Sequence, residues 1–387
     1  MREKQKVICS LVQLLWRRSC RFPVLLYAIV CIGCDGSGIA EDARDTEVQE
    51  TPNLSRARSG PVENIETSER IEAAALVEST PSHGQELKLF TARIRGAFDE
   101  RKFDFIEKQG RELRGNASLF PDGSWQLNHF YDALSKRFHT GDAGYLADLK
   151  IFKNWEQAFP ESTIRRVALA RFLIDYAWHA RGSGYAHTVT EEGWRLFDER
   201  LNYAWKILTS VRRSEIKDPH GYEMAIVAAM GLGLGMTELD MIVFESRRHF
   251  PTYYPTDTRR AYSLLPRWHG EAGDWEAFAM EAAQIEGGLG DEVYVRILIK
   301  LKPYYANIFR ETKAVWGTAK KGLEILNKKY PNSMEIQNYT AYFAVLGNDR
   351  TMAAEYFDKL GSAYLKSVWR KPERFVHFRT WAKTGRW

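Results

Sequence analysis

Asp175, His179, Ser183 and His187 lie within one short stretch of the chain. They are the residue types of an acyl-transfer site, in which an imidazole takes a hydroxyl proton and a carboxylate orients the imidazole. The local pattern argues against that use. Gly182-Ser183-Gly184 joins two helical segments, whereas a hydrolase nucleophile elbow joins a strand to a helix and sets its glycines two residues either side of the serine. In a glycine-rich connection, His and Ser more commonly satisfy nearby backbone groups. His179 and His187, joined by Glu191 or Glu192, are the alternative set for a metal. Their spacing crosses a flexible loop and no HExxH pair occurs, so no metal is expected. All four cysteines (Cys9, Cys20, Cys31, Cys34) fall in the first 34 residues. The rest of the chain therefore has no thiolate ligand, no catalytic cysteine and no disulfide. No cofactor is implied.

Aromatic residues point elsewhere. They make up 13% of the chain, and Trp178, Tyr185, Trp194, Tyr253, Tyr254, Trp268 and Trp275 crowd its centre. Flat rings beside Arg181 and Arg267 suit a groove that binds a peptide or stacks on a sugar. Trp178, Arg181, Tyr185, Trp194, Arg267 and Trp268 are the binding candidates on this reading. The competing reading is that the rings pack helix against helix.

The elements that must position these residues are helical from Leu87 onward, where apolar residues recur three and four apart between Gly and Pro stops. Val167, Ala170, Ile174, Ala177 and Trp178 share one helical face, as do Trp316, Ala319, Leu323, Leu326 and Tyr330. One helix is expected to end near Arg181 and the next to start after Thr190, a natural N-cap followed by Glu191 and Glu192. Gly141-Asp142, Gly273-Asp274 and Gly347-Asn348-Asp349 each precede a helix, and Phe159-Pro160, Phe250-Pro251 and Tyr330-Pro331 each stop one.

Ala319, Leu323 and Leu326 recur 34 residues later as Ala353, Phe357 and Leu360. That period and spacing resemble the second helix of a tetratricopeptide repeat, and Pro331 ends the helix where that motif expects. The stretch from Tyr176 to Trp194, Phe159-Pro160-Glu161-Ser162, Trp194 through Leu201, and Leu264 through Glu271 together resemble a family of uncharacterised bacterial proteins, domain of unknown function 4034. The resemblance covers the chain from about residue 90 onward, and it implies no activity, ligand or catalytic residue.

The N-terminal part differs in kind. Arg17, Arg18 and Arg21 precede an apolar run from Pro23 to Gly33, with Cys34 following. This is the order of an export signal, and the run is shorter than the about twenty residues a spanning helix needs. Cys31-Ile32-Gly33-Cys34 resembles a lipobox, so Cys34 is either a lipidation site or an incidental cysteine of an ordinary signal or of an uncleaved anchor. Residues 35–85 carry eleven Asp or Glu against four Arg and no aromatic ring, a composition that reads as an acidic, disordered tether with a short helix near Ile71 to Val77. The net charge of +5 is matched by the six bases and one acid of the leader alone. No concentrated run of Lys and Arg follows, which argues against nucleic-acid binding.

The expectation is thus an all-α chain: a 1–34 export signal, a 35–85 tether, and an 86–387 domain of helical hairpins stacked as a degenerate tetratricopeptide-like α-solenoid. Its function is read as noncatalytic binding or scaffolding in the periplasm or cell envelope, with an unknown protein, peptide or glycan as partner. The alternative is an envelope hydrolase using residues 175–194.

Overall fold

A computed structural model describes residues 69–135, 141–182, 184, 186–268 and 270–386. The expected export signal with Cys34, the expected tether up to residue 68, and the candidates Ser183 and Tyr185 lie outside the described residues.

The fold is all-α. Gly84–Asp99 (α1), Phe103–Asn116 (α2), Gln126–Ser135 (α3) and Gly141–Ala158 (α4) lead into a series of hairpins. These are Thr163–Arg181 (α5) with Glu191–Arg213 (α6), Pro219–Gly231 (α7) with Met236–His249 (α8), and Tyr254–Ser263 (α9) with Asp274–Ala282 (α10). Asp291–Leu301 (α11) follows, then the short Ile308–Glu311 (α12) and Trp316–Lys329 (α13), which packs back on α11. Met334–Leu346 (α14) pairs with Arg350–Leu360 (α15), and Lys366–Trp369 (α16) and Pro372–Thr384 (α17) close the chain.

Capping chemistry fixes where these helices start. Ser162, Thr190, Asp218, Ser333 and Asp349 each accept a backbone N–H of the first turn through the side chain. Asp218 is followed by Pro219, whose missing N–H costs nothing at that position. The expected Gly-Asp starts and Phe-Pro or Tyr-Pro stops coincide with the ends of α4, α8, α10, α13 and α15.

The helices form two kinds. α6 buries Gly193, Phe197, Leu201, Ala204, Leu208 and Val211, a single stripe. In α7 every residue from Pro219 to Met230 is buried, and α5 is buried nearly all round. A helix buried on all sides must be covered on the face its own hairpin leaves open. α3, α5, α7, α9 and α11 pack each against the next as this inner row. The repeated segments 319–326 and 353–360 fold as second helices, α13 and α15, with Ala319 and Ala353 fully buried.

The inner row is covered by the chain's own N-terminal part. After α2 the loop turns back so that the rings of Trp125 and Tyr253 lie 4.9 Å apart. Arg296 of α11 donates to the Asp122 carbonyl at 3.0 Å. Gly123 sits at φ 76° with Arg296 and Tyr330 where a side chain would be. A larger residue there would be strained in backbone and blocked in space.

The first described residues extend that closure. Val77–Glu78 (β1) pairs in parallel with Ala363–Tyr364 (β2). Ser82 accepts the Met334 N–H at 2.7 Å and bonds the Glu335 carboxylate. His83 is buried, stacked on Phe120 at 5.3 Å, with Nδ1 3.0 Å from Glu335. These contacts belong to residues that precede the expected domain start at residue 86. Residues 69–85 are poor in apolar side chains, but they gain backbone pairs and an ion pair that composition does not reveal.

Candidate functional site

Of the residues singled out from the sequence, Trp178, Arg181 and Trp194 come together where α5 gives way to α6. The Arg181 guanidinium lies over both indoles, 5.5 Å from Trp178 and 5.3 Å from Trp194. It donates to the carbonyls of Gly182 and Gly184 at 3.2 and 3.1 Å, and only 6% of Arg181 is exposed. Phe197 closes the cluster edge-on against both rings. This sandwich ties down the glycine connection. Arg267 and Trp268 are elsewhere, after α9, where Arg267 lies over Tyr304 and Trp268 packs against Tyr262. The five described candidates thus fall into two separate clusters.

Of the hydrolytic set, the described Asp175 and His179 are engaged by different partners. Asp175 faces Arg171 at 3.4 Å, and His179 Nε2 lies 3.6 Å from Asp142, with its ring beside the stacked pair Tyr145 and Tyr176. Among the described residues, no three His, Asp or Glu side chains gather as a metal requires.

A different site lies on the inner row. α3, α5, α7, α9 and α11 surround a chamber of about 210 Å³ whose walls carry Arg171, Arg259 and Lys300 together with Asp132 and Glu223. Trp125 and Tyr254 supply apolar walls, and Asn128, His129 and Thr258 add hydrogen-bonding groups. Arg171 is anchored by Asp132 at 2.7 Å. Arg259 has the looser contact, 3.4 Å to Glu223. Ser124, at the mouth, donates its hydroxyl to Asp122 at 2.6 Å, which makes it part of a turn rather than a nucleophile held by an imidazole.

Beneath the chamber is a buried polar network. His220, wholly inaccessible, places Nδ1 3.1 Å from Glu223 and 3.2 Å from the Tyr253 hydroxyl. Asn128 donates to the same Glu223 oxygen at 2.8 Å and accepts from Tyr253. Tyr131 stacks on His220 at 4.8 Å and donates to Asp218 at 2.6 Å. Burial pushes the Tyr131 and Tyr253 hydroxyls well above their ordinary range, so both remain donors. Burial alone would raise Glu223 as well. The bond to His220, its charge, and the guanidinium groups of Arg259 and Arg171 reverse that and hold the carboxyl far below the usual carboxylate range. A group held so firmly ionised is a fixed acceptor and a poor proton carrier near neutral pH.

Of this network the sequence reading names Tyr253 alone, as one of the central aromatic residues. The available signal was local: Asp218-Pro219-His220-Gly221-Tyr222-Glu223 opens an otherwise apolar helix with a His and a Glu three apart. Such a pair inside a helix buried on every side has to be satisfied by other elements. Its partners on α3 and at the start of α9 are distant in sequence, so only the fold identifies them.

No protein-family model, no curated protein and no solved structure matches this chain.

Proposed function

We propose that this chain is an exported, noncatalytic binding module that seats one carboxylate-bearing residue of an extended peptide or protein partner in the chamber between α3, α5, α7, α9 and α11. The observation that carries this reading is the chamber's charge, three cations against two carboxylates, on walls fixed by a hydrogen-bonded network. An anionic group seated there meets the Arg259 guanidinium, whose contact with Glu223 is the looser one at 3.4 Å. The volume of about 210 Å³ suits a single side chain or chain end rather than a whole small-molecule ligand, since such pockets run to roughly 300–1,000 Å³. Pre-organisation favours binding because little is ordered when the ligand arrives. Firm ionisation of Glu223 favours holding charge over transferring protons.

The test is selection of displayed hexapeptides on the full chain, followed by titration of the enriched sequences. Enrichment of Asp, Glu or a free C-terminus is expected, and enrichment of neutral or basic peptides would contradict the reading.

The proposal includes export through residues 1–34 with Cys34 as a lipid anchor in the cell envelope. Cys34→Ser should then abolish lipid labelling and release the protein from membranes. Membrane partition unchanged by the substitution, with no label in the unsubstituted chain, would reject that part.

A further inference from the structure

A second hollow, independent of the inner chamber, lies on the outer side of the repeat between α6 and α8. It encloses about 550 Å³, with Tyr222 of α7 at its base. Trp205 forms one wall, and beyond that indole a further hollow of about 560 Å³ continues along α6, sharing Thr209 and Arg213. Trp205 thus lines both hollows.

Two hydroxyls here are unsatisfied. Tyr222 is 1% exposed, and its hydroxyl has no hydrogen-bond partner among the described residues. Glu245 and Arg212, both lining the groove, are the charges that act on that hydroxyl, so it faces this hollow. Thr209 Oγ1 is buried and likewise unpartnered. A buried polar atom without a partner costs about 1–3 kcal/mol, and it marks a place where an incoming hydrogen-bonding group gains.

The charges restrict what that group is. Arg212 is locked between Glu238 at 3.2 Å and Glu245 at 3.0 Å, and Lys217 donates to the carbonyls of Arg212 and Ser214. Among the described residues, Arg213 is exposed with no acid bonded to it. Burial, with Lys217 and Arg248 nearby, lowers His249 and leaves it neutral at pH 7. Three bases against two acids leave a single positive charge, which suits one carboxylate. A phosphate dianion carries one negative charge more than this groove balances, since Arg212 is already engaged by Glu238 and Glu245. Those glutamates retain acceptor capacity for hydroxyl donors, and an indole face suits the apolar side of a sugar ring.

We propose that this groove binds an acidic saccharide, a chain of hexuronate residues, with one ring on Trp205, its carboxylate on Arg213 and its hydroxyls on Thr209, Tyr222 and the Glu238–Glu245 pair. The test is calorimetric titration of the full chain with hexuronate trimers of gluco, galacto and manno configuration, with maltotriose as the neutral probe and inorganic phosphate as the simple anion. At least one uronate trimer should bind tenfold or more tightly than maltotriose and phosphate. Trp205→Ala should weaken it at least tenfold, and Arg213→Ala should remove the preference for the acidic sugar. Tyr222→Phe should weaken binding severalfold while leaving thermal unfolding unchanged or raised, because the hydroxyl it removes is unpaired in the free protein. The inference is overturned by failure of all three uronates to bind at millimolar concentration, by phosphate binding as tightly as the sugars, or by unchanged binding in Trp205→Ala.

Discussion

His83 and Glu335 close the repeat on itself, Nδ1 to Oε1 at 3.0 Å, both side chains largely withdrawn from water. The contact joins the segment before α1 to the start of α14. It predicts a pH-dependent closure. The Glu335 carboxylate beside it, with Asp122 and Glu86, raises the His83 pKa above 6.5 despite burial. Burial opposes ionisation of Glu335, but His83 and the hydroxyls of Ser333 and Ser82 outweigh it and lower that carboxyl below 4.5. The histidine's contribution is complete below 6.5 and is lost as pH rises through its higher folded value. That of the glutamate is present above 4.5 and lost as pH falls through its lower folded value. The closure is therefore tightest between those limits. Exchange of the Val77 and Ser79 amides, which bond Ser362 and Tyr364, should accelerate between pH 6 and 8 by severalfold more than base catalysis explains. His83→Ala should remove the excess, and an excess unchanged in that variant would contradict the assignment.

Glu223→Ala should be among the most destabilising single changes in the chain. It strips a common partner from His220, Asn128, Tyr253 and Arg259, and removing one member of a buried ionic set costs about 3–5 kcal/mol. Tyr253→Phe removes the hydroxyl that contacts Asn128, Glu223 and His220 in the same set and should cost about 1–3 kcal/mol. Denaturant unfolding measures both. A loss below about 1 kcal/mol for Glu223→Ala would mean that the network does not hold the inner row together.

Two glycine substitutions should act with opposite sign. A Cβ on Gly322 of α13 would stand 2.1 Å from the Asp291 carbonyl oxygen of α11, and backbone does not step aside as a side chain does. Gly322→Ala should cost about 1–3 kcal/mol through the overpacked crossing. Gly96 of α1 has nothing within 4 Å of such an atom, so Gly96→Ala should stabilise by up to about 1 kcal/mol from helix propensity. Ala353→Trp, at a fully buried site on α15, should disrupt the C-terminal hairpins. Equal thermal shifts for the two glycine variants would contradict the packing described.

Much of the helical framework is legible in the chain because its signals are local. Thr190 caps α6 and Arg181 ends α5 because a hydroxyl and a glycine act on backbone groups within a few residues. The 34-residue echo of Ala319 at Ala353 survives because both alanines meet a close helix contact. Periodicity misled on α5, whose one expected face became nearly complete burial once α3, α4, α6 and α7 surrounded it. Trp178 and Trp194 flank Arg181, whose guanidinium is occupied by carbonyls of its own loop. The chamber escaped notice because Asn128, Arg171, Glu223 and Arg259 come from four helices and share no spacing.

The most direct test of the binding account is the affinity of an enriched acidic peptide for the full chain, for Arg259→Glu in the chamber, and for Arg267→Glu, whose side chain lies over Tyr304 outside it. The expected result is a loss of at least tenfold for Arg259→Glu with Arg267→Glu unchanged. Equal affinities for all three proteins, or a loss confined to Arg267→Glu, would contradict it.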